Sequence, residues 1–317
     1  MKKILPKNLT AVILISAIFL LAADFTIAQG PRDIAVTPLN FEFTIERESS
    51  DGDYIQVLNP SYEDSVEVDM KTEDMFPEGE EGRVILGSPE EDLEAMAMSR
   101  WITFEPEEFS LEPRENKHVR FTIDVPENAD PGGHYAGLVA GTGRSEIEGT
   151  GVALTQRIAS LVLLTVPGEM EEDLSTIEFS TGENYYEYGP VVFSSRFENE
   201  GTVHVRPEAK ISIEDIFGRG VDQISVEPRS VLPGAIRRID TEWKEYGLWG
   251  IRYTATLDGV YGEDGNQLQS REVTFWAFPW KYGIAIILLI IFFILTRKRW
   301  ITIIKILVLG EKALSGK

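Results

Sequence analysis

The chain has 317 residues, with 52 acidic side chains against 30 basic ones and a formal net charge of −22. Charge of that sign argues against nucleic acid or anionic lipid as a ligand, since both need positive partners. Cysteine is absent, so disulfides cannot staple a small domain, and stability has to come from cores large enough to stand alone.

Residues 1–28 read as a signal peptide. Lys2, Lys3 and Lys7 make a basic start, and Ala11 to Ala23 is apolar apart from Ser16. Small residues then lead to an expected cleavage after Ala28. The apolar run is shorter than the roughly 20 residues a membrane span needs. The chain beyond Ala28 is therefore expected to be exported. Setting aside the one acidic and three basic residues of 1–28, and the one acidic and six basic residues of 282–317, leaves 50 acidic against 21 basic in 29–281.

Alternation of apolar and polar residues runs through this exported part. Val119 to Val125 places four apolar residues on one face and Arg120, Thr122 and Asp124 on the other. Phe41–Ile45, Val66–Met70, Val203–Arg206 and Ile211–Glu214 follow the same rule. Such a period of two predicts antiparallel strands with one face in a core and one in water. Asp51-Gly52, Asn59-Pro60, Pro131-Gly132-Gly133, Pro233-Gly234 and Asp258-Gly259 read as the intervening turns. One short helix is predicted from Ser88, where Ser-Pro-Glu-Glu forms a capping box, towards Met98.

A break near Pro167-Gly168 separates two stretches of similar layout, 33–167 and 169–275. Each has a strand ending in Asn before a turn, at Asn59 and at Asn199. Each later has a Pro-containing turn, after Leu111 and after Leu232, and then a strand with Arg and Asp on its polar face. The expected fold is all-β, with two tandem immunoglobulin-like β-sandwiches. Trp101, Trp243 and Trp249 read as core anchors.

Residues 276–296 form the predicted transmembrane helix. Tyr282 to Leu295 carries no charge, Trp276, Trp280 and Tyr282 suit an outer aromatic belt, and Arg297, Lys298 and Arg299 mark a cytoplasmic flank. Residues 297–317 are then a short basic tail, read either as an interfacial helix or as a continuation of the span.

Catalytic motifs are missing. The sequence contains no Gly-x-Ser-x-Gly elbow, no His-Glu-x-x-His and no Walker-type loop. His118, His134 and His204 are not spaced as metal ligands, and His118 and His204 are expected to face solvent. Glu263-Asp264-Gly265-Asn266 lacks a calcium-loop ligand set and reads as a hairpin turn. No enzyme activity, cofactor or metal is expected.

The most distinctive stretch is Asp130 to Gly141, in which Gly132, Gly133, His134 and Tyr135 open a strand rich in small residues. Those residues permit a close approach of backbone or ligand; a demanding turn opening a core strand is the reading preferred, because Gly-Gly after Pro needs no ligand to explain it. Three motifs carry a family resemblance: I-x-V-x-P-x-x-F-E-F from Ile34 to Phe43, V-P-E-N-A-D-P-G-G-H-Y-A-G from Val125 to Gly137, and L-L-T-V-P-G from Leu163 to Gly168. In these the chain resembles the WxL-interacting proteins of Gram-positive surfaces. The resemblance implies a first domain binding peptidoglycan, a second binding a protein, and one membrane anchor. It also places a ligand contact around Gly132, Gly133, His134 and Tyr135. The implied role is a non-enzymatic surface protein that binds cell-wall peptidoglycan or a secreted surface protein. A chaperone-like component that holds a secreted subunit by β-strand addition is the alternative.

Overall fold

The computed structural model describes residues 34–87, 96–142, 145–146, 153–154, 156–245 and 251–314, with side chains of the last segment described to 297. The expected signal peptide, most of the helix expected from Ser88, and Trp249 lie outside the described residues. The chain is mostly β, with one C-terminal apolar helix.

The first half contributes β1 (Ala35–Thr37), β2 (Asn40–Thr44), β3 (Ser50–Leu58), β4 (Val66–Glu78), β5 (Arg83–Gly87), β6 (Ile102–Glu105), β7 (Glu108–Leu111), β8 (Asn116–Asp124), β9 (Gly132–Thr142), β10 (Ser145–Glu146), β11 (Ala153–Leu154) and β12 (Arg157–Val166). One sheet runs β1-β3-β8-β6. The other runs β2-β12-β9-β4-β5, with β7 also on β4, while β10 and β11 pair apart. The second half contributes β13 (Leu174–Thr181), β14 (Tyr185–Tyr186), β15 (Val191–Asn199), β16 (Glu208–Asp215), β17 (Gly220–Ser225), β18 (Ile236–Trp243), β19 (Ile251–Tyr261), β20 (Asn266–Gln267) and β21 (Arg271–Ala277). Its sheets run β13-β15-β18 and β14-β21-β19-β16-β17, with β20 on β19.

The two halves share one wiring. In each, a short strand pairs parallel to the last strand, β2 with β12 and β14 with β21, and the remaining named pairs are antiparallel. Each half also has its own hydrophobic core, drawn from both of its sheets. Ile55, Val57 and Phe121 face Phe41, Met70, Leu138 and Val162 in the first. Phe193, Ile239 and Trp243 face Ile211, Tyr253 and Phe275 in the second. Burying an aliphatic or aromatic side chain of this kind is worth about 1.5–3 kcal/mol, which is how a chain without cysteine holds two sheet pairs together. Trp243 satisfies its indole as well, donating from Nε1 to Asp222 at 2.9 Å.

Several local expectations change. Asp51-Gly52 and Asp258-Gly259 are not turns but lie inside β3 and β19. A Cβ at Gly52 would sit 2.1 Å from the Phe121 carbonyl oxygen, and one at Gly259 would sit 2.5 Å from that of Glu208. These glycines admit a neighbouring strand's backbone. Val203–Arg206 is not a strand either; only Val205 makes a bridge, to Val231.

The paired asparagines explain the internal repeat. Asn59 is fully buried, and its Nδ2 donates to the carbonyls of Asp64, Leu111 and Glu112 while Oδ1 accepts from Ser61 N–H. Asn199 does the same work in the second half, with Nδ2 donating to Val203 O and Val231 O and Oδ1 accepting from Gly201 N–H. Each amide stands in for water at a chain crossing where strand bonding has stopped.

The helix, α1, spans Trp280–Leu314. Its first 18 residues, Trp280–Arg297, are long and apolar enough to cross a membrane. It starts at Trp280 and not at Trp276 as the sequence suggested, because Trp276 and Ala277 still pair with Arg252 and Ile251 in β21. Pro279, which has no N–H to leave unpaired, precedes the first turn. The backbone then continues as a single helix to Leu314.

Replacing Asn199 by Ala takes the side-chain donor from Val203 O and the acceptor from Gly201 N–H, while Val231 O keeps only the Val205 N–H. It should destabilise the fold by about 2–4 kcal/mol, read as a lower denaturant midpoint from the fluorescence of the buried Trp243 in the detergent-solubilised full chain. Asn128→Ala, at an exposed position, should shift the same curve by less than about 0.5 kcal/mol.

Candidate functional site

The residues singled out by sequence converge on the seam between the halves. Gly132, Gly133, His134 and Tyr135 are all buried. Gly133 N–H donates to Thr202 O at 2.9 Å. A Cβ on Gly132, which has φ +127, would lie 2.7 Å from that same carbonyl oxygen, and a Cβ on Gly133 would collide with the Tyr135 hydroxyl. The glycine pair thus lets the second half close onto the first and lets the Tyr135 ring fold back along its own strand.

Tyr135 is the centre of a small third core. Met75, Leu163 and Leu232 are buried with it, and Val84, Leu86 and Ala235 pack alongside. Strand β9 is buried along its whole length, because one face meets the first core and the other meets this seam. The small residues noted in sequence serve that double burial; a Cβ at Gly137 would meet Leu86 Cδ2 at 2.7 Å.

Polar contacts lock the same seam. The Tyr135 hydroxyl lies 3.2 Å from His204 Nδ1, and His204 Nε2 lies 3.3 Å from Glu42, which also pairs with Arg206 at 2.9 Å. This geometry has Tyr135 donating to Nδ1 while Nε2–H points to the Glu42 carboxylate. His204 therefore does not face solvent as its sequence neighbours suggested; it sits in a connection covered by the first half, and its side chain is 9% exposed. His134 donates from Nε2 to Asp130 O at 2.9 Å and rests against Trp101, with ring centroids 4.6 Å apart. His118 is exposed.

On the far side of the seam the β4–β5 hairpin reaches the second half. Arg196 bonds Glu80 from Nε at 2.8 Å and Glu178 from Nη1 at 2.8 Å. Arg238 N–H donates to Glu80 O at 2.7 Å. Arg196 holds both carboxyls below the usual carboxylate range. Glu80 and Arg196 lie 116 residues apart, so no spacing rule could have paired them.

An open cleft of roughly 710 Å³ lies in the angle between the halves. Glu42, Phe43 and Thr44 of β2 form one wall, and His204, Arg206 and the Glu263–Asn266 loop belong to the other. That loop joins β19 to β20 as a hairpin, with Gly262 and Gly265 at positive φ. Among the described residues no group of three or more His, Asp or Glu is placed to hold a metal.

Strand β2 ends its sheet, paired on one side only, to β12. Leu161 N–H donates to Leu39 O, and Ile45 N–H to Thr165 O. In a parallel ladder the backbone groups of alternate residues turn to the same side. Leu39, Phe41, Phe43 and Ile45 therefore face β12, and the amides and carbonyls of Asn40, Glu42 and Thr44 turn to the open side. This edge carries pairing capacity for one more strand.

No family model matches the sequence, and none of the curated proteins matches it. Among solved structures, the chain is similar to the class 5 fimbriae chaperone CfaA, at 12% identity and TM-score 0.38, over 76% of this chain and 98% of that one. The E. coli chaperone DraB aligns at 11% identity and TM-score 0.35, over 76% and 97%. A protein of unknown function from Porphyromonas gingivalis aligns at 13% and 0.30, over 78% and 100%.

Burial lowers the proton affinity of both His134 and His204; for His204, Glu42 opposes the effect without overcoming it. Both therefore bind protons more readily unfolded than folded. Their contribution to stability is complete above the ordinary histidine value of 6.5 and is lost as pH falls from there through their lowered folded-state values. Glu80 and Glu178, held low by Arg196, stay ionised in that window. The unfolding temperature of the full chain should drop between about pH 7.5 and about 5.5, and His204→Asn should flatten that drop.

Proposed function

We propose that this is a non-enzymatic, membrane-anchored cell-surface binding protein that holds an extended segment of an exported protein by strand addition along β2. Its ectodomain is read as two tandem immunoglobulin-like sandwiches, 33–167 and 169–275, exported behind a cleaved signal peptide at 1–28. The run of Arg297, Lys298 and Arg299 after the span supports an outward ectodomain and an inward C-terminus. Membership of the WxL-interacting family is proposed on the three motifs that suggested it.

The observation that carries the reading is the edge of β2 in the cleft wall. Its outward amides and carbonyls offer main-chain bonding to any sequence, while Phe43 and the polar opposite wall, both in the cleft lining, supply side-chain selectivity. A protein partner is favoured over cell-wall polymer because a strand edge recognises a peptide backbone and has no equivalent use for a glycan. In this reading Gly132, Gly133, His134 and Tyr135 set the angle of the cleft from beneath it.

Proline at position 44 tests this. The Thr44 N–H turns to the open side, so Thr44→Pro removes one pairing donor without touching the β12 ladder. With a photo-reactive residue at Asn40 in the membrane-embedded full chain, Thr44→Pro should cut cross-linking to exported polypeptides at least about tenfold. Unchanged cross-linking overturns strand addition. Sedimentation with purified cell wall that Thr44→Pro leaves intact would favour the polymer instead.

A further inference from the structure

The end of the second half nearest α1 has a surface that the binding role does not use. The connection from sheet to helix has no slack: β21 stops at Ala277 and α1 begins at Trp280. Phe278 N–H donates to Tyr186 O at 3.0 Å, Trp276 N–H to Asn184 O at 2.9 Å, and the Tyr185 hydroxyl to Phe278 O at 2.5 Å. Lys281, one residue into the helix, pairs with Glu187 at 2.7 Å. A clasp of β14, β21 and the first helical turn thus ties the sheet to the helix.

Register places a second feature at the same end. Asp215 stands opposite Tyr253, and Tyr253 opposite Phe275. The chain beyond Asp215 turns through Ile216–Arg219 into β17, so this hairpin tip projects towards the level of Ile251 and Ala277, where the helix departs. Phe217 at the tip is 77% exposed and Ile216 is 51% exposed. Tyr185, Ile251, Trp276 and Phe278, at the same end, are exposed too. Scattered apolar residues need no explanation, but several large ones at one end of a sheet mark an interaction surface.

Two ion pairs lie at this end of the acidic ectodomain. The Asp215 side chain is mostly covered and pairs with Arg219 at 2.5 Å, whose guanidinium lies 5.1 Å from the Phe217 ring centre. Glu187 is likewise matched by Lys281. Asp215 beside the tip and Glu187 beside the helix start are thereby matched by cations, which relieves part of the repulsion an acidic surface meets at anionic headgroups.

We infer that the Ile216–Phe217 tip, together with Tyr185, Ile251, Trp276 and Phe278, forms a lipid-facing collar. It inserts at the headgroup–acyl boundary of the leaflet that α1 enters. Aromatic and aliphatic groups flanked by cations suit that boundary. The occupant is lipid because the surface is continuous with the start of the apolar helix, and the clasp fixes its distance from the bilayer. The ectodomain then stands on the membrane at a set height instead of swinging on a tether. The inference rests on reading 280–297 as a membrane span.

The absence of native cysteine makes the test clean. Full-length Ile216→Cys, Phe217→Cys, Tyr62→Cys and Leu289→Cys chains would each carry an NBD label in phosphatidylethanolamine–phosphatidylglycerol vesicles, with or without brominated acyl chains. Brominated lipid should quench the labels at 216 and 217 at least about twofold, quench 289, and leave 62 unchanged. Quenching at 289 with none at 216 or 217 overturns the collar while the anchor stands. Labels at 216 and 217 that escape brominated lipid yet are shielded from aqueous iodide assign the tip to a protein contact and also overturn it. No quenching at 289 removes the span itself, and the collar with it.

Discussion

Closure of the second half over strand β9 is the constraint on which the remaining geometry depends. Tyr135 can lie along its own strand only because position 133 has no side chain, and Thr202 can reach the Gly133 amide only because position 132 has none. Once that contact forms, His204 leaves solvent to meet the Tyr135 hydroxyl. The β4–β5 hairpin comes within reach of Arg196 and Arg238, and Glu42 comes within reach of Arg206. The angle of the cleft, and the presence of β2 in its wall, depend on this closure. Most of these partners lie far apart in sequence, so the seam requires both halves to have folded.

Two devices replace the disulfides this chain lacks. One is ordinary double-sheet burial, repeated in each half with a matching strand order apart from β6, β7 and β20. The other is the buried asparagine at the end of β3 and of β15, which ties a turn to a distant carbonyl through a neutral amide. Because an amide both donates and accepts, one side chain can satisfy several backbone groups that strands leave behind. The repetition of the device at Asn59 and Asn199 is the physical content of the similarity between the two stretches.

The two ends of the molecule are suited to different neighbours. At the cleft, an unpaired strand edge lies beside histidine, arginine and several carboxylates, a setting that favours a peptide backbone with selective side chains. At the helix end, exposed aromatics and internally matched charges favour the lipid boundary. Fixing the second half by a hydrogen-bonded clasp to α1 would hold the cleft at a defined height, with β2 turned to what passes along the surface.

Sequence alone determined the features that reside in local periodicity. Alternation at Val119–Val125 marked the core face of β8, the uncharged run Tyr282–Leu295 marked the helix, and the shared Asn-turn pattern pointed to the repeated buried asparagines at 59 and 199. It misread Asp51-Gly52 and Asp258-Gly259 as turns, because a glycine that admits a neighbouring strand and a glycine that bends its own chain look alike in one dimension. It placed His204 in solvent because alternation reports only the strand's own sheet and is blind to a second half closing over it. It read Gly132, Gly133, His134 and Tyr135 as a demanding turn or a place of close approach, but could not name what approaches, which is Thr202 and His204 from some 70 residues away. Only the tertiary structure decided which side of β2 stays unpaired, where the cleft lies and what stands beside the helix, since each depends on contacts between segments that share no local signal.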